Sequence, residues 1–131
     1  MKKKQSIIAF ALFAVFTLIM GTNSAQAQVK NLAQTDVAKV LKTEKATLVD
    51  VRTEGEVASG YIKGTTVFAD VNSGDFSTKI SKLDKSKTYI IYCRSGARSN
   101  KAANMMVQNG FKNVYNLNGG IMGWGGEVSK P

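Results

Sequence analysis

The chain has 131 residues, with 18 Lys and Arg against nine Asp and Glu, no histidine and one cysteine. That length supports one modest core and excludes a second domain, and the cysteine and histidine counts exclude an internal disulfide and a Cys-His catalytic dyad. The net charge of +9 comes largely from scattered lysines (30, 39, 42, 45, 63, 79, 82, 85, 87, 101, 112, 130), with no aromatic interleaving and no nucleic-acid-binding motif. It predicts a solvated basic surface with a weak pull on small anions, and no nucleic-acid partner.

In chain order, Lys2, Lys3 and Lys4 precede an apolar run from Ile7 to Met20, then Gly21-Thr22-Asn23-Ser24 and the small-x-small site Ala25-Gln26-Ala27. These are the three parts of a secretory signal, with cleavage expected between Ala27 and Gln28. The run is about fourteen residues, short of the roughly 20 that span a bilayer, which favours a cleaved signal over the other reading, an uncleaved membrane anchor. Export, to a bacterial periplasm in particular, is therefore expected, with no stable membrane insertion after cleavage. Removal of residues 1–27 takes away three lysines and no acids, so the net charge falls from +9 to +6.

The remainder, residues 28–131, alternates between helix and strand signals. Thr35 and Asp36 offer an N-cap for a helix through Leu41, with Leu32, Val37, Val40 and Leu41 on one face. Thr47–Val51 is a short apolar run suited to a buried strand. Glu54–Ser59 predicts one helical turn closed by Gly60. Thr65–Val71 is a second strand, centred on Val67 and Phe68, and 72–75 a loop. Phe76–Leu83 is a short amphipathic helix with Phe76, Ile80 and Leu83 inward. Thr88–Tyr92 is the clearest strand, dense in β-branched and aromatic residues. A helix over Ser99–Asn109 follows, with Ala103, Met106 and Val107 at core spacing and Gly110 placed for a left-handed C-terminal cap before Phe111. Val114–Leu117 is the last strand, and Asn118-Gly119-Gly120 turns the chain into a segment carrying Ile121, Met122 and Trp124. Strands separated by helices predict an α/β fold with a parallel sheet covered on both faces.

In such a sheet, sites lie beyond the C-terminal strand ends, and Cys93 ends the strongest strand. The helix after it offers unpaired amides and a partial positive charge, and Arg94 and Arg98 add two full charges. A thiol there should be partly exposed and titrate below its usual pKa, which makes Cys93 a nucleophile. Gly96 lets the loop curl into a nest of inward amides able to hold an anion. An unpaired thiol is also a liability in an oxidising compartment unless its reactivity is used.

Cys93-Arg94-Ser95-Gly96-Ala97-Arg98-Ser99 resembles the active-site loop of the rhodanese family. Leu48-Val49-Asp50-Val51-Arg52 with Glu56, Gly60-Tyr61-Ile62-Lys63-Gly64, and Val114-Tyr115-Asn116-Leu117 with Gly119, Gly120 and Trp124 resemble its other segments, in order. The resemblance implies a five-stranded parallel sheet flanked by helices, and a thiosulfate or thiol sulfurtransferase in a single domain of periplasmic type. It implies that Cys93 takes a sulfur from a small anionic donor and holds it as a persulfide, then passes it to cyanide or a thiol. The amides of Arg94, Ser95, Gly96, Ala97, Arg98 and Ser99 would cradle the persulfide, and Arg94 and Arg98 would attract the donor. No metal or organic cofactor is called for, and a monomer is expected. Tyr61 and Lys63 stand where the family often has histidine and proline, a departure expected to affect stability and not chemistry. Asp50 and Arg52 are expected to pair structurally, and Trp124 to serve the core or a pocket wall.

Three alternatives share the loop. Cysteine-dependent phosphatases and arsenate reductases place one residue more between cysteine and arginine; here four (94–97) intervene, and the smaller ring suits one sulfur atom. A sulfur-carrier or redox-interaction module would use the same residues without turning over free thiosulfate. An inactive scaffold would have no reason to keep Cys93 in a complete loop.

Overall fold

The computed structural model describes residues 27–131. The predicted signal segment, apart from its final residue, lies outside the described residues.

Thr88–Tyr92 (β5) forms the middle of the fold because every second side chain meets a different apolar layer. Tyr89, Ile91 and Cys93 face one core with Val49, Val51, Phe76, Ile80, Ala102, Ala103, Met106 and Phe111. Ile90 and Tyr92 face the other, with Leu32, Val37, Val40, Leu48, Ile62 and Leu117. All five β5 residues are buried, as a strand covered on both faces must be. Around it run Lys30–Leu32 (β1), Thr47–Asp50 (β2), Val67–Phe68 (β4) and Asn113–Leu117 (β6). The sheet order is β1-β6-β5-β2-β4 and each pairing is parallel. Val37–Thr43 (α1) packs on the second core, while Phe76–Ser81 (α3) and Ala97–Gln108 (α4) pack on the first. The expected α/β architecture, a five-stranded parallel sheet with helices on both faces, is the one observed.

Several boundaries differ from expectation, each for a local reason. Asp36 at the N-cap of α1 makes no side-chain cap bond; a 3-10 turn over Gln34–Asp36 leads the chain in, and α1 continues to Thr43. The Thr65–Val71 strand shrinks to two residues, and Thr65 lies in a turn instead, its amide bonded to the Ile62 carbonyl at 3.1 Å and its hydroxyl also engaged. The hydroxyl donates to the Ile62 carbonyl at 2.7 Å and lies 2.8 Å from Tyr92 Oη. Past β4, the Ala69 and Val71 amides still bond the Asp50 and Val51 carbonyls at 2.9 and 3.2 Å. Tyr61–Ile62 (β3) and Val128–Ser129 (β7) form a separate antiparallel pair that local pattern does not reveal. The capping of α4 follows expectation: Gly110 sits at φ 94°, and the Gly110 and Phe111 amides bond the Val107 and Met106 carbonyls at 3.1 Å. That is the Schellman arrangement, closed by a buried Phe111.

Asp50 and Arg52 pair as expected. Asp50 is fully buried and Arg52 is 7% exposed. Arg52 Nη2 donates to Asp50 Oδ2 and to the Gly60 carbonyl, both at 2.7 Å, and Nε reaches both carboxylate oxygens at 3.0 and 3.2 Å. The pair pins the end of β2 to the exit of Glu54–Ala58 (α2). Asp50→Ala leaves a buried guanidinium with one neutral carbonyl partner and should cost about 3–5 kcal/mol. Urea unfolding measures this; a loss below about 1 kcal/mol would show that the pair does not hold the strand end.

Candidate active site

Cys93 directly follows β5, and the sheet alternation turns its side chain toward α4. Gly96, at φ 121°, ends the loop and caps α4. The helix therefore begins at Ala97, two residues before the sequence prediction, because a residue with positive φ reverses the extended path at once. Ala97, Arg98 and Ser99 thus sit in the first helical turn, and their amides are among those a helix leaves unpaired.

The loop carbonyls are held outward. Ile121 N donates to the Cys93 carbonyl at 2.9 Å and Met122 N to the Arg94 carbonyl at 3.0 Å. With these oxygens engaged on the far side, the amides turn toward the sulfur. Gly96 N donates to Cys93 Sγ at 3.1 Å. Ser99 Oγ lies 3.4 Å from Sγ, 3.1 Å from the Gly96 carbonyl and 2.6 Å from Asn116 Oδ1. Burial alone would push the Cys93 thiol up. Hydrogen bonding from the Ser99 hydroxyl and from the Ser99, Gly96 and Ser95 amides outweighs burial and holds the thiol below its ordinary pKa. The expected lowering is present; the expected partial exposure is not. Cys93 is 1% exposed because it belongs to the first core and its sulfur lies under the Gly96 amide and the Ser99 hydroxyl instead of out along the rim.

The two arginines have different settings. Arg94 and Ser95 are exposed on the loop rim, and among the described residues Arg94 has no ion-pair partner within hydrogen-bond reach. Arg98 is half-buried and held by Glu56 in a two-pronged pair at 2.7 and 2.9 Å. Glu56 meanwhile closes a capping box with Thr53 at the start of α2. Arg98 and Thr53 together lower the Glu56 carboxyl from its usual 4.5 to about 2. The charge of Arg98 is therefore largely spent on joining α2 to α4, and of the two loop arginines Arg94 is the one without an ion-pair partner among the described residues.

Sequence reasoning missed the roles of Asn116 and Gly120. Asn116 is 6% exposed on β6, and its signal was a polar residue on an otherwise apolar inward face. A Cβ at Gly120 would fall 2.5 Å from the Arg94 oxygen and 2.6 Å from the Cys93 oxygen. The close approach of the 119–123 turn to the loop therefore requires glycine. Tyr61 packs edge-on against Phe68 at 4.9 Å, and Lys63 pairs with Glu127 at 2.6 Å, so the two unusual residues serve the chain away from the sulfur. Trp124 is half-buried against the second core, its indole N–H on the Glu127 carbonyl at 3.1 Å. Beside the site, past the ends of β2 and β4, an open cleft of about 360 Å³ is lined by Arg52, Glu54, Phe68, Asp70 and Lys79.

A strand-end cysteine in a ring of amides, on a parallel five-stranded sheet, defines the class of protein. The model of the Rhodanese-like domain matches residues 33–127, and the chain belongs to the rhodanese family. It is 41% identical over 93 residues to the putative sulfurtransferase YtwF of Bacillus subtilis, covering 71% of this chain and 85% of that one. It is 37% identical over 86 residues to a sulfurtransferase of Allochromatium vinosum, covering 66% and 78%. Among solved structures, a rhodanese-like domain protein from Staphylococcus aureus superposes with a TM-score of 0.68 at 28% identity, over 79% of this chain and 99% of that one.

Gly120→Ala should push the Cys93 and Arg94 carbonyls off their outward bonds, at a cost of about 1–3 kcal/mol. The amides then swing away from Sγ, and the pH midpoint of Cys93 alkylation rises. A folded Gly120→Ala protein with an unchanged midpoint would show that the turn does not aim the amides.

Proposed function

We propose that the protein is a sulfurtransferase that moves a sulfane sulfur from thiosulfate or a similar anionic donor to cyanide or a thiol through a persulfide on Cys93. The observation that carries this reading is the set of donors closed around one sulfur atom: the Gly96 amide at 3.1 Å and the Ser99 hydroxyl at 3.4 Å from Sγ. The donors converge on the thiol itself and stabilise its anion without a histidine base. Sulfurtransferase relatives at 41% and 37% identity point the same way.

The steps balance without a cofactor because sulfur is the group carried. The Cys93 thiolate attacks the outer sulfur of the donor. The Sγ–S bond forms as the donor's S–S bond breaks, and sulfite leaves with that electron pair when thiosulfate is the donor. The persulfide's outer sulfur now bears the negative charge, within the amides of residues 94–99. An acceptor thiolate or cyanide then attacks the outer sulfur, and the electron pair of the Sγ–S bond returns to Cys93. Arg94, open on the rim, draws the donor in; Arg98 keeps the first turn of α4 fixed through Glu56 and adds its remaining field. In this reading the working unit is a single exported domain over residues 28–131, monomeric and freed from its leader. No helix among the described residues is long and apolar enough to cross a membrane.

The test is transfer from thiosulfate to cyanide by the purified protein and by Cys93→Ser. The substitution should reduce the rate about a thousandfold or more and leave the circular dichroism unchanged. Full activity in Cys93→Ser would overturn the mechanism, and hydrolysis of an aryl phosphate with no sulfur transfer would replace it with phosphatase chemistry.

A further inference from the structure

Ser99 is fully buried and its hydroxyl carries one proton. Three acceptors surround it: Asn116 Oδ1 at 2.6 Å, the Gly96 carbonyl at 3.1 Å and Cys93 Sγ at 3.4 Å. The Gly96 carbonyl is already served by Asn100 N at 3.0 Å and by Asn116 Nδ2 at 3.3 Å. That second bond also fixes the Asn116 amide, so that its oxygen and not its nitrogen faces Ser99. The contest for the proton is therefore between Asn116 and the reactive sulfur.

We propose that Asn116 is a positioning residue that competes with Cys93 for the Ser99 proton, so that the hydroxyl turns onto Sγ in the free thiolate and back onto Asn116 Oδ1 in the persulfide. A charged Sγ is the better acceptor, since hydrogen bonds to ionised groups are roughly twice as strong as neutral ones. Once sulfur is loaded, the charge sits one atom further out, over the loop amides, and Sγ becomes a neutral divalent sulfur that accepts weakly. Asn116 then offers the hydroxyl a place to go, and no buried donor is left unpaired in either state. The competition keeps the resting thiolate from being over-stabilised and hence a poor nucleophile. It also leaves a proton at hand for Sγ when Sγ becomes the leaving group.

The persulfide half of this rests on the sulfur-transfer reading; the competition itself does not, and it is tested without donor. The Cys93 thiolate is titrated by its ultraviolet absorbance and by alkylation rate against pH in the wild type, Asn116→Leu, Ser99→Ala and the double variant. Losing Asn116 gives the hydroxyl to sulfur, so the Asn116→Leu midpoint should fall. Alkylation below the midpoint should speed up about threefold, the gain in thiolate being partly offset by its lower nucleophilicity. Ser99→Ala should raise the midpoint, and the double variant should match Ser99→Ala, because Asn116 reaches the sulfur through that hydroxyl and the Gly96 carbonyl it also bonds keeps Asn100 N. A buried asparagine that serves packing alone predicts none of this pattern. If leucine does not fit, Asn116→Ala carries the same expectation, with the Gly96 carbonyl still held by Asn100 N.

An Asn116 variant whose midpoint is unchanged or raised overturns the proposal. So does a Ser99→Ala midpoint equal to the wild type, or a double variant displaced from Ser99→Ala. With thiosulfate present and the pH above the midpoint, Asn116→Leu should load sulfur about threefold more slowly and discharge it to cyanide no more slowly than the wild type. Equal slowing of both half-reactions would overturn the alternation. A wild type that does not load at all would instead remove the sulfur-transfer reading and leave the titration result standing.

Discussion

Two backbone hydrogen bonds hold the site in its working shape: Ile121 N to the Cys93 carbonyl and Met122 N to the Arg94 carbonyl. A peptide plane is rigid, so fixing a carbonyl outward fixes the next amide inward. By holding the Arg94 carbonyl, the turn after β6 therefore helps set the Ser95 amide, in the same peptide plane, on the side of the sulfur. That turn reaches the loop because β5 and β6 are paired neighbours, Ile91 beside Asn116. It comes close enough because Gly120 has no side chain. Sheet order thus helps aim the loop amides that, together with the Ser99 hydroxyl, hold the Cys93 thiol below its ordinary pKa, and the Schellman cap at Gly110 contributes by returning the chain from α4 into β6.

The charged residues divide the remaining work. The Asp50–Arg52 pair is buried and anchors the end of β2 next to β5. The Glu56–Arg98 pair, less buried, ties the capped start of α2 to the start of α4. Neither pair needs to touch a substrate to matter, because each fixes an element from which the loop hangs. Arg94 is the exception, exposed and open. A strongly desolvated thiol in an apolar floor would ordinarily be neutral and inert; here hydroxyl and amide donors overcome that penalty.

The parts of this arrangement that depend on local pattern could be seen in the sequence. Thr88–Tyr92 is β-branched and aromatic throughout, so the central strand and the position of Cys93 at its end followed directly. Gly110 and Phe111 announced the end of α4. What depends on contacts distant in sequence was hidden. β1 is three residues long and exists through pairing with Tyr115–Leu117; β3 and β7 exist only through each other. Ser99 and Asn116 are 17 positions apart, and Arg98 and Glu56 are 42 apart. No spacing rule could reveal that one of the two arginines is already paired. The burial of Cys93 was hidden for a similar reason, since it depends on which face of β5 the residue after Tyr92 continues.

The role proposed for the donor ring, holding a sulfur atom on Cys93, is tested by the intact mass of the protein after incubation with thiosulfate, before and after cyanide. One added sulfur atom is expected, removed by cyanide and absent from Cys93→Ser. No added mass on the wild type, or the same addition on Cys93→Ser, would contradict it.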